Sequence, residues 1–400
     1  MRLFRPESEA DLAEWIAASR DRFPEEGVPV VTAATADPAV PGLDPLPRLG
    51  VSTSGLSDLT DFRPKDLAVT VGAGMRLSVL DCLVADAGLW LPLAGMPENR
   101  SVGGLVASAP AGEFDGSFGP VRRHVLACTL LLWDGRVTRW GRPVMKNVAG
   151  YDVNKLVCGS RARLGIVTSV TLRLWPRPRV VRRFDLEGEA LREYGAAFAG
   201  APRFEAVVWR CRPGGGNPIT ASVSMTGGPK SVSSRAEALG RWAGDREIGV
   251  TEEDPEPTAP VPASQERSAR PSASAAYRIT FGRRYLTTGL RDLDRRLAGD
   301  VDPWSLEAFP ATGVVRVLTA QQKAAGQRQA PAWLTTIADT VGRAAVPQPA
   351  LDTPAVRVER GGRAEHDAAR RMRSTTARDI ERRWLEAFAG VAGPWQADYL

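Results

Sequence analysis

The sequence predicts an α+β fold, because strand patterns and amphipathic helix patterns both occur along the chain. Apolar residues recur at helical spacing in 9–20 and 77–87. Short runs rich in β-branched residues, such as 67–71 and 166–175, indicate strands. With 400 residues, the chain is long enough for two or three domains that each bury a core.

Local signals support the individual elements. Helices are predicted at 9–20, 77–87, 189–198 and 376–388. Strands are predicted at 28–32, 67–71, 125–133, 136–140, 166–175, 206–210 and 221–225. Ser8 and Asp11 are spaced as a capping box for the first helix. Gly88 ends the second helix, and Asp134-Gly135 is a hairpin signal.

The chain divides into three regions. Residues 1–180 form the predicted first domain, and residues 181–320 form a second domain. Within the second domain, 251–276 carries five prolines and almost no large apolar residue, which predicts a disordered insertion. Residues 321–400 are expected to be a linker and a helical tail. The apolar stripe of the tail helix, 376–388, packs on its own domain or docks on a partner subunit.

Composition excludes several classes of protein. Net charge is +6, but only five of the 52 basic residues are lysine. The sequence has no motif that combines aromatic and basic residues, so nucleic-acid binding is not expected. Four isolated cysteines and two histidines argue against a metal site. There is no G-x-G-x-x-G and no P-loop. The lack of an apolar leader and of an 18-residue apolar run predicts a cytoplasmic protein without a membrane span.

One stretch, residues 101–178, predicts a ligand site. It contains SVGGLVAS at 101–108, MKNVAGYDVNKL at 145–156 and Gly159-Ser160, followed by LGIV at 164–167. Glycines let backbone N–H groups approach a ligand, and successive N–H groups form a concavity suited to a diphosphate. The alternative is a β-rich domain with tight turns.

Residues 66–178 closely resemble the flavin domain of the vanillyl-alcohol oxidase type, also called the PCMH-type FAD-binding domain. The run VMKNVAGYDV at 144–153 is nearly a signature of that family, and within it the chain looks most like the FAD-binding subunits of bacterial glycolate oxidases. The resemblance implies two α+β subdomains that hold FAD non-covalently between them, and an α+β cap domain over the flavin ring.

The resemblance also implies where residues lie around the cofactor. The residues near the diphosphate and ribityl chain would be Ser101, Val102, Gly103 and Gly104. Those near the ring would be Ala107, Ser108 and Gly112, with Asn147, Gly150 and Tyr151 supporting the ring-binding wall. Those near the adenosine half would be Gly159, Ser160, Gly165, Ile166 and Val167. Tyr151 has the alternative role of packing the subdomain interface.

Two departures from the family pattern concern the phosphates. The segment 32–40 has no glycine where the family usually has its diphosphate loop, and Asp37 adds a negative charge there. The usual glycine between Ser160 and Leu164 is also missing, and Arg161 and Arg163 stand nearby. These arginines contact phosphate, or they are solvated surface residues.

By resemblance, the expected function is that of an FAD-dependent subunit that oxidises glycolate or a similar 2-hydroxy acid to a 2-oxo acid. No catalytic base is assigned, because His124 is expected to be structural and His366 solvent-exposed. That favours an accessory subunit beside a catalytic flavoprotein subunit and an iron–sulfur subunit, in the cytoplasm or peripheral at the inner face of the membrane. The alternative is a flavin-free structural subunit that retains the fold.

Overall fold

The computed structural model describes residues 2–22, 30–32, 49–93, 100–144, 152–211, 219–253, 275–280, 286–297, 304–319 and 355–360. The helices are α1 (Glu9–Ser19), α2 (Leu77–Ala85), α3 (Val102–Ser108), α4 (Asn154–Val157), α5 (Pro229–Gly244) and α6 (Leu286–Leu297). The first ten strands are β1 (Arg2–Phe4), β2 (Val30–Thr32), β3 (Leu49–Ser52), β4 (Leu59–Arg63), β5 (Ala68–Gly72), β6 (Leu89–Trp90), β7 (Val125–Leu131), β8 (Val137–Gly141), β9 (Ile166–Arg173) and β10 (Trp175–Pro176). The remaining strands are β11 (Val180–Glu187), β12 (Ala206–Cys211), β13 (Thr220–Gly227), β14 (Gly249–Glu252), β15 (Ala275–Thr280), β16 (Trp304–Phe309), β17 (Val314–Thr319) and β18 (Ala355–Arg360).

A five-stranded antiparallel sheet, in the order β4-β5-β9-β7-β8, carries the first part of the fold. Its inward residues, such as Val69, Val71 and Val170, share a core with α2 and α3. The helices bury Leu80 and Leu105 completely in this core, which explains why both elements pack on the sheet.

A small parallel sheet, in the order β1-β3-β2, is separate from the five-stranded sheet, and α1 packs between them. The predicted capping box is present: the Asp11 N–H donates to Ser8 Oγ, and the Ser8 N–H donates to the Asp11 carboxylate. Leu12 and Ile16 of α1 are fully buried in one cluster with Trp133. This cluster fixes the start of the chain against the end of β7 and its hairpin.

The second unit is an eight-stranded antiparallel sheet in the order β14-β11-β13-β12-β16-β17-β15-β18. Side chains of α5 and α6, such as Trp242 and Leu290, pack in the core on this sheet. The edge strand β18 lies within 321–400, which the sequence analysis assigned to linker and tail, and it pairs with β15. The disorder predicted over 251–276 is wrong at both ends, because 251–252 belong to β14 and 275–276 belong to β15. Residues 254–274 and the predicted helix 376–388 lie outside the described residues.

The predicted α+β class is confirmed. The glycine-containing run 101–108, for which no helix was predicted, forms helix α3. The segment predicted as a helix at 189–198 is a 3₁₀ helix, Glu189–Phe198. Within the described ranges, no helix is long and apolar enough to cross a membrane.

Candidate functional site

Helix α3 is the element that positions the predicted site. Ser101 is its N-cap, and Val102, Leu105 and Val106 are buried in the core of the first sheet. A Cβ atom on Gly103 would lie 2.8 Å from Ala73 Cβ and 2.9 Å from its carbonyl oxygen. Gly103 therefore allows the helix to approach the end of β5 closely.

The backbone N–H groups at the start of α3 are already bonded within the protein. The Val102 N–H donates to Met75 O at 2.8 Å, and the Gly103 N–H donates to Ala73 O at 2.7 Å. The Gly104 N–H donates to Ser101 Oγ at 3.0 Å. The prediction that successive N–H groups form an anion-binding concavity is therefore wrong for residues 102–104, because those donors are satisfied by the fold itself.

The outward face of α3 is a wall of small residues. Gly104, Ala107 and Ser108 lie at i, i+3 and i+4, and all three are partly exposed. Arg100, one turn before Gly104, donates from Nη1 to Ser108 Oγ at 2.6 Å, and Ser108 Oγ donates to Gly104 O at 2.6 Å. A Cβ on Gly104 would meet Ser101 Oγ at 3.1 Å and Arg100 Cγ at 3.9 Å. We call this face, residues 100, 104, 107 and 108, the α3 wall.

The loop 159–163 docks beside the α3 wall. The Gly159 N–H donates to Val106 O and the Arg161 N–H donates to Ala107 O, both at 2.9 Å. The hydroxyl of Ser160 is buried, and among the described residues it has no hydrogen-bond partner. Because an unsatisfied buried hydroxyl carries a free-energy cost, this position suits a polar ligand that supplies the missing bond.

The backbone of this loop is strained. Arg161 and Ala162 have φ values of +52° and +62°, a conformation that side chains with a Cβ disfavour. The Ala162 carbonyl accepts hydrogen bonds from Trp133 Nε1 at 3.1 Å and from the Gly165 N–H at 3.2 Å. These contacts maintain the glycine-like conformation although the usual glycine is absent.

Other predicted site residues face the interior. Val102, Ile166 and Val167 are buried in cores, Gly103 packs on Ala73, and a Cβ on Gly165 would collide with the carbonyl oxygen of Leu131. A contact of these five residues with FAD stays a prediction and would have to use their backbone atoms. Asn147, Gly150 and Tyr151 lie outside the described residues.

Gly112 lies at the boundary between the part of the fold built on the five-stranded sheet and the eight-stranded sheet. It is buried and precedes the 3₁₀ turn Glu113–Gly116, which packs on β12. Phe114 clusters with Trp90 and Ala206, and its ring centroid is 5.5 Å from that of Trp90. This contact brings the segment predicted to line the flavin ring against the sheet predicted to be the cap.

A row of alternating charges crosses the same boundary. Arg210 Nη2 lies 3.8 Å from Glu113 Oε1, and Arg210 Nε lies 3.7 Å from Glu307 Oε1. Arg316 Nη1 lies 3.8 Å from Glu307 Oε2. We call these four residues the boundary ion pairs. Sequence reasoning missed them, because Arg210, Glu307 and Arg316 come together only through the pairing of β12, β16 and β17.

Three titratable side chains near the five-stranded sheet, His124, Cys128 and Cys158, are poorly suited to catalysis. His124 is 1% exposed and its Nε2 lies 3.0 Å from Gly119 O, to which it donates. Burial, aided by the positive charge of Arg173, lowers the pKa of His124 to about 4 although the bond to Gly119 opposes the shift. Burial also raises the pKa of the Cys128 and Cys158 thiols to about 12, which keeps both protonated at neutral pH.

Comparison with known proteins identifies related FAD-binding sequences. Residues 2–141 match the sequence family described as FAD binding domain. The chain is 31% identical over 181 residues to glycolate oxidase subunit GlcE of Escherichia coli, covering 42% of this chain and 52% of that protein. It is 33% identical over 129 residues to D-lactate dehydrogenase of Archaeoglobus fulgidus, covering 32% of this chain and 29% of that protein. The matches thus span about half the length of these curated relatives or less.

The fold has solved neighbours as well. A structure of alkyldihydroxyacetonephosphate synthase superposes with a TM-score of 0.58 at 10% identity, covering 85% of this chain and 71% of that chain. The resemblance to a PCMH-type FAD-binding domain is confirmed, and FAD is confirmed as the cofactor of this type of domain. The α3 wall and the Ser160 hydroxyl, which lacks a partner within the described ranges, fit such a nucleotide.

Proposed function

We propose that this chain is an FAD-binding subunit of a 2-hydroxy-acid oxidoreductase of the glycolate oxidase type. One observation carries the proposal: the buried hydroxyl of Ser160, which has no hydrogen-bond partner in the described part of the chain, belongs to a loop that docks beside a wall of small residues. Both lie in the region whose predicted flavin-binding motifs run from 101 to 167, and the FAD-binding match covers the wall itself.

Each part of the site has a separate task. When bound, FAD supplies the acceptor for the hydride of the 2-hydroxy acid, which becomes a 2-oxo acid. Gly104 and Ala107 leave room for the cofactor along α3, and Ser160 offers its hydroxyl to the adenosine half. The turn Glu113–Gly116 packs on β12 and carries the ion pair of Glu113 with Arg210, and we assign Gly112, which precedes it, to the flavin ring.

An accessory role follows from the chemistry of His124. A base must take the hydroxyl proton of the substrate, but His124 is buried and its Nε2 already binds Gly119. We therefore assign the base to a catalytic flavoprotein subunit, with an iron–sulfur subunit receiving the electrons. The complex would lie in the cytoplasm or peripherally at the inner face of the membrane, and glycolate is the substrate that the GlcE similarity favours.

The cofactor site is tested by replacing Gly104 with tryptophan. The large side chain fills the α3 wall, so we expect Gly104→Trp to abolish FAD binding in a titration followed by flavin fluorescence. Gly240→Trp is the matched control, since a Cβ on that exposed helical glycine meets no described atom within 4 Å. If Gly104→Trp binds FAD like the wild type, the placement of the cofactor on α3 is wrong.

The accessory role is tested by co-purification. Tagged chain should retain a larger flavoprotein and an iron–sulfur protein from its native host, and this complex should oxidise glycolate. The chain loaded with FAD alone should not turn over glycolate. Turnover by the isolated chain would show that it is an independent enzyme.

A flavin-free structural subunit is the second candidate. The satisfied N–H groups of Val102, Gly103 and Gly104 favour it, because they remove donors that the glycine pattern had predicted for the diphosphate. A folded, colourless protein that does not take up FAD and still joins the complex would support this candidate over the first.

A further inference from the structure

If FAD binds as in the proposed function, on which this step rests, the protein must balance its negative charge. A diphosphate carries two negative charges, and holding them in a partly buried crevice is unfavourable without donors or cations. The glycine pattern predicted backbone amides for this purpose. The amides of residues 102–104 are satisfied within the fold, as are those of Gly159, Ser160 and Arg161.

Among the described residues, the balancing charge at this wall therefore falls to side chains. Arg100 lies along it: its Cγ is 3.9 Å from the Cβ position of Gly104, and its guanidinium reaches Ser108. The hydrogen bond from Nη1 to Ser108 Oγ is 2.6 Å long and holds the cation over the small residues. Ser108 is in turn fixed by its bond to Gly104 O, so the position of the guanidinium is set by the helix itself.

We propose that Arg100 is the cation that pairs with the diphosphate of FAD. A guanidinium presents five N–H donors in a planar fork, so it can bind Ser108 and a phosphate oxygen together. Its partial burial strengthens the attraction relative to an exposed charge. Arg100 is thus a binding residue that compensates for the amides used by the fold.

The neighbouring arginine Arg161 provides a comparison. It lies in the loop that docks on α3, but its residue is exposed and its backbone N–H is bound to Ala107 O. An ion pair formed by a solvent-exposed cation contributes little binding free energy. Removal of the Arg161 charge should therefore affect FAD much less than removal of the Arg100 charge.

The test compares Arg100→Met with Arg161→Met in the full chain, using FAD and riboflavin as probes. Because Arg100→Met loses a charge-assisted pairing, its affinity for FAD should be about tenfold to a hundredfold lower than that of the wild type. Riboflavin has no phosphate, so its affinity should change by less than about twofold, and Arg161→Met should bind both probes like the wild type. Arg100→Lys should recover part of the FAD affinity, since it restores the charge without the fork.

Salt dependence gives a second measurement that does not need riboflavin. The Kd of the wild type for FAD should rise with sodium chloride, and this rise should be smaller for Arg100→Met because the screened pairing is gone. Equal FAD affinity and equal salt dependence in Arg100→Met and wild type would overturn the proposal, as would an equal loss of FAD and riboflavin. A wild type that binds neither probe would overturn the proposed function itself.

Discussion

Ala162 has a backbone conformation that normally requires glycine. Its φ is +62°, next to Arg161 at +52°, and hydrogen bonds to its carbonyl oxygen hold it there. The sequence lacks the usual glycine between Ser160 and Leu164, and yet the fold keeps the glycine conformation there. A β-carbon in this region costs about 1–2 kcal/mol.

Replacing Ala162 with glycine should stabilise the protein. Removing the Cβ relieves the strain, partly offset by the greater freedom of the unfolded chain, so we expect a gain of about 1 kcal/mol. Urea denaturation followed by circular dichroism measures this change. Ala238→Gly within α5 is the control and should lose about 1 kcal/mol. A loss of stability in Ala162→Gly would contradict the strained backbone.

His124 makes stability depend on pH. Its pKa is about 4 in the folded protein and about 6.5 unfolded, so the unfolded chain binds more protons between these values. The unfolding free energy that depends on His124 is therefore highest above pH 6.5 and falls as the pH decreases toward 4. From pH 7 to pH 5 the loss should be about 2 kcal/mol, and it should be absent from His124→Phe. Denaturation curves with the same pH dependence for both proteins would refute this role.

Helix α3 is an element that was not predicted from the sequence. Two adjacent glycines and a polar cap resemble a loop by propensity, since glycine costs about 1 kcal/mol in a helix interior. Tertiary contact explains the outcome, because Gly103 lets the helix touch Ala73 while Leu105 and Val106 are buried. By contrast, α1 was predictable to within one residue at its end, because its capping box and apolar spacing agree.

The two glycines of α3 should respond differently to alanine. In Gly103→Ala the new Cβ meets Ala73 at 2.8 Å, and we expect a loss of about 2 kcal/mol despite better helix propensity. In Gly104→Ala the Cβ points to the α3 wall, so stability should be equal to the wild type or slightly higher. Thermal denaturation of both variants checks this contrast. Equal effects would mean that α3 does not face the sheet as described.

At the scale of the whole molecule, long-range pairing limits what the sequence reveals. The strands 206–210 and 221–225 were predictable from β-branched residues, and both form. The edge strand β18 was not predicted, because it lies beyond a Pro-rich stretch and joins the sheet only by pairing with β15. The boundary ion pairs depend on the same registers. Local patterns therefore predict the elements of the site region better than the contacts that join the two sheets.

Breaking the boundary ion pairs should destabilise the molecule. Arg210→Met leaves Glu113 and Glu307, with side chains 9% and 13% exposed, without their shared cation. We expect a loss of about 2–3 kcal/mol in chemical denaturation. Arg203→Met is the control, since that side chain is 77% exposed and its pairing with Glu205 should contribute less than about 1 kcal/mol. Equal losses in the two variants would show that the boundary is not held by charge.

The flavin content of the full chain tests the central claim most directly. The purified protein is incubated with FAD, freed of excess ligand by gel filtration and examined by absorption spectroscopy. We expect one flavin per chain, with absorption bands at roughly 370 and 450 nm. Acid precipitation should release all of it into the supernatant. A folded protein that remains colourless after this treatment, or flavin that stays with the precipitate, would contradict non-covalent FAD binding.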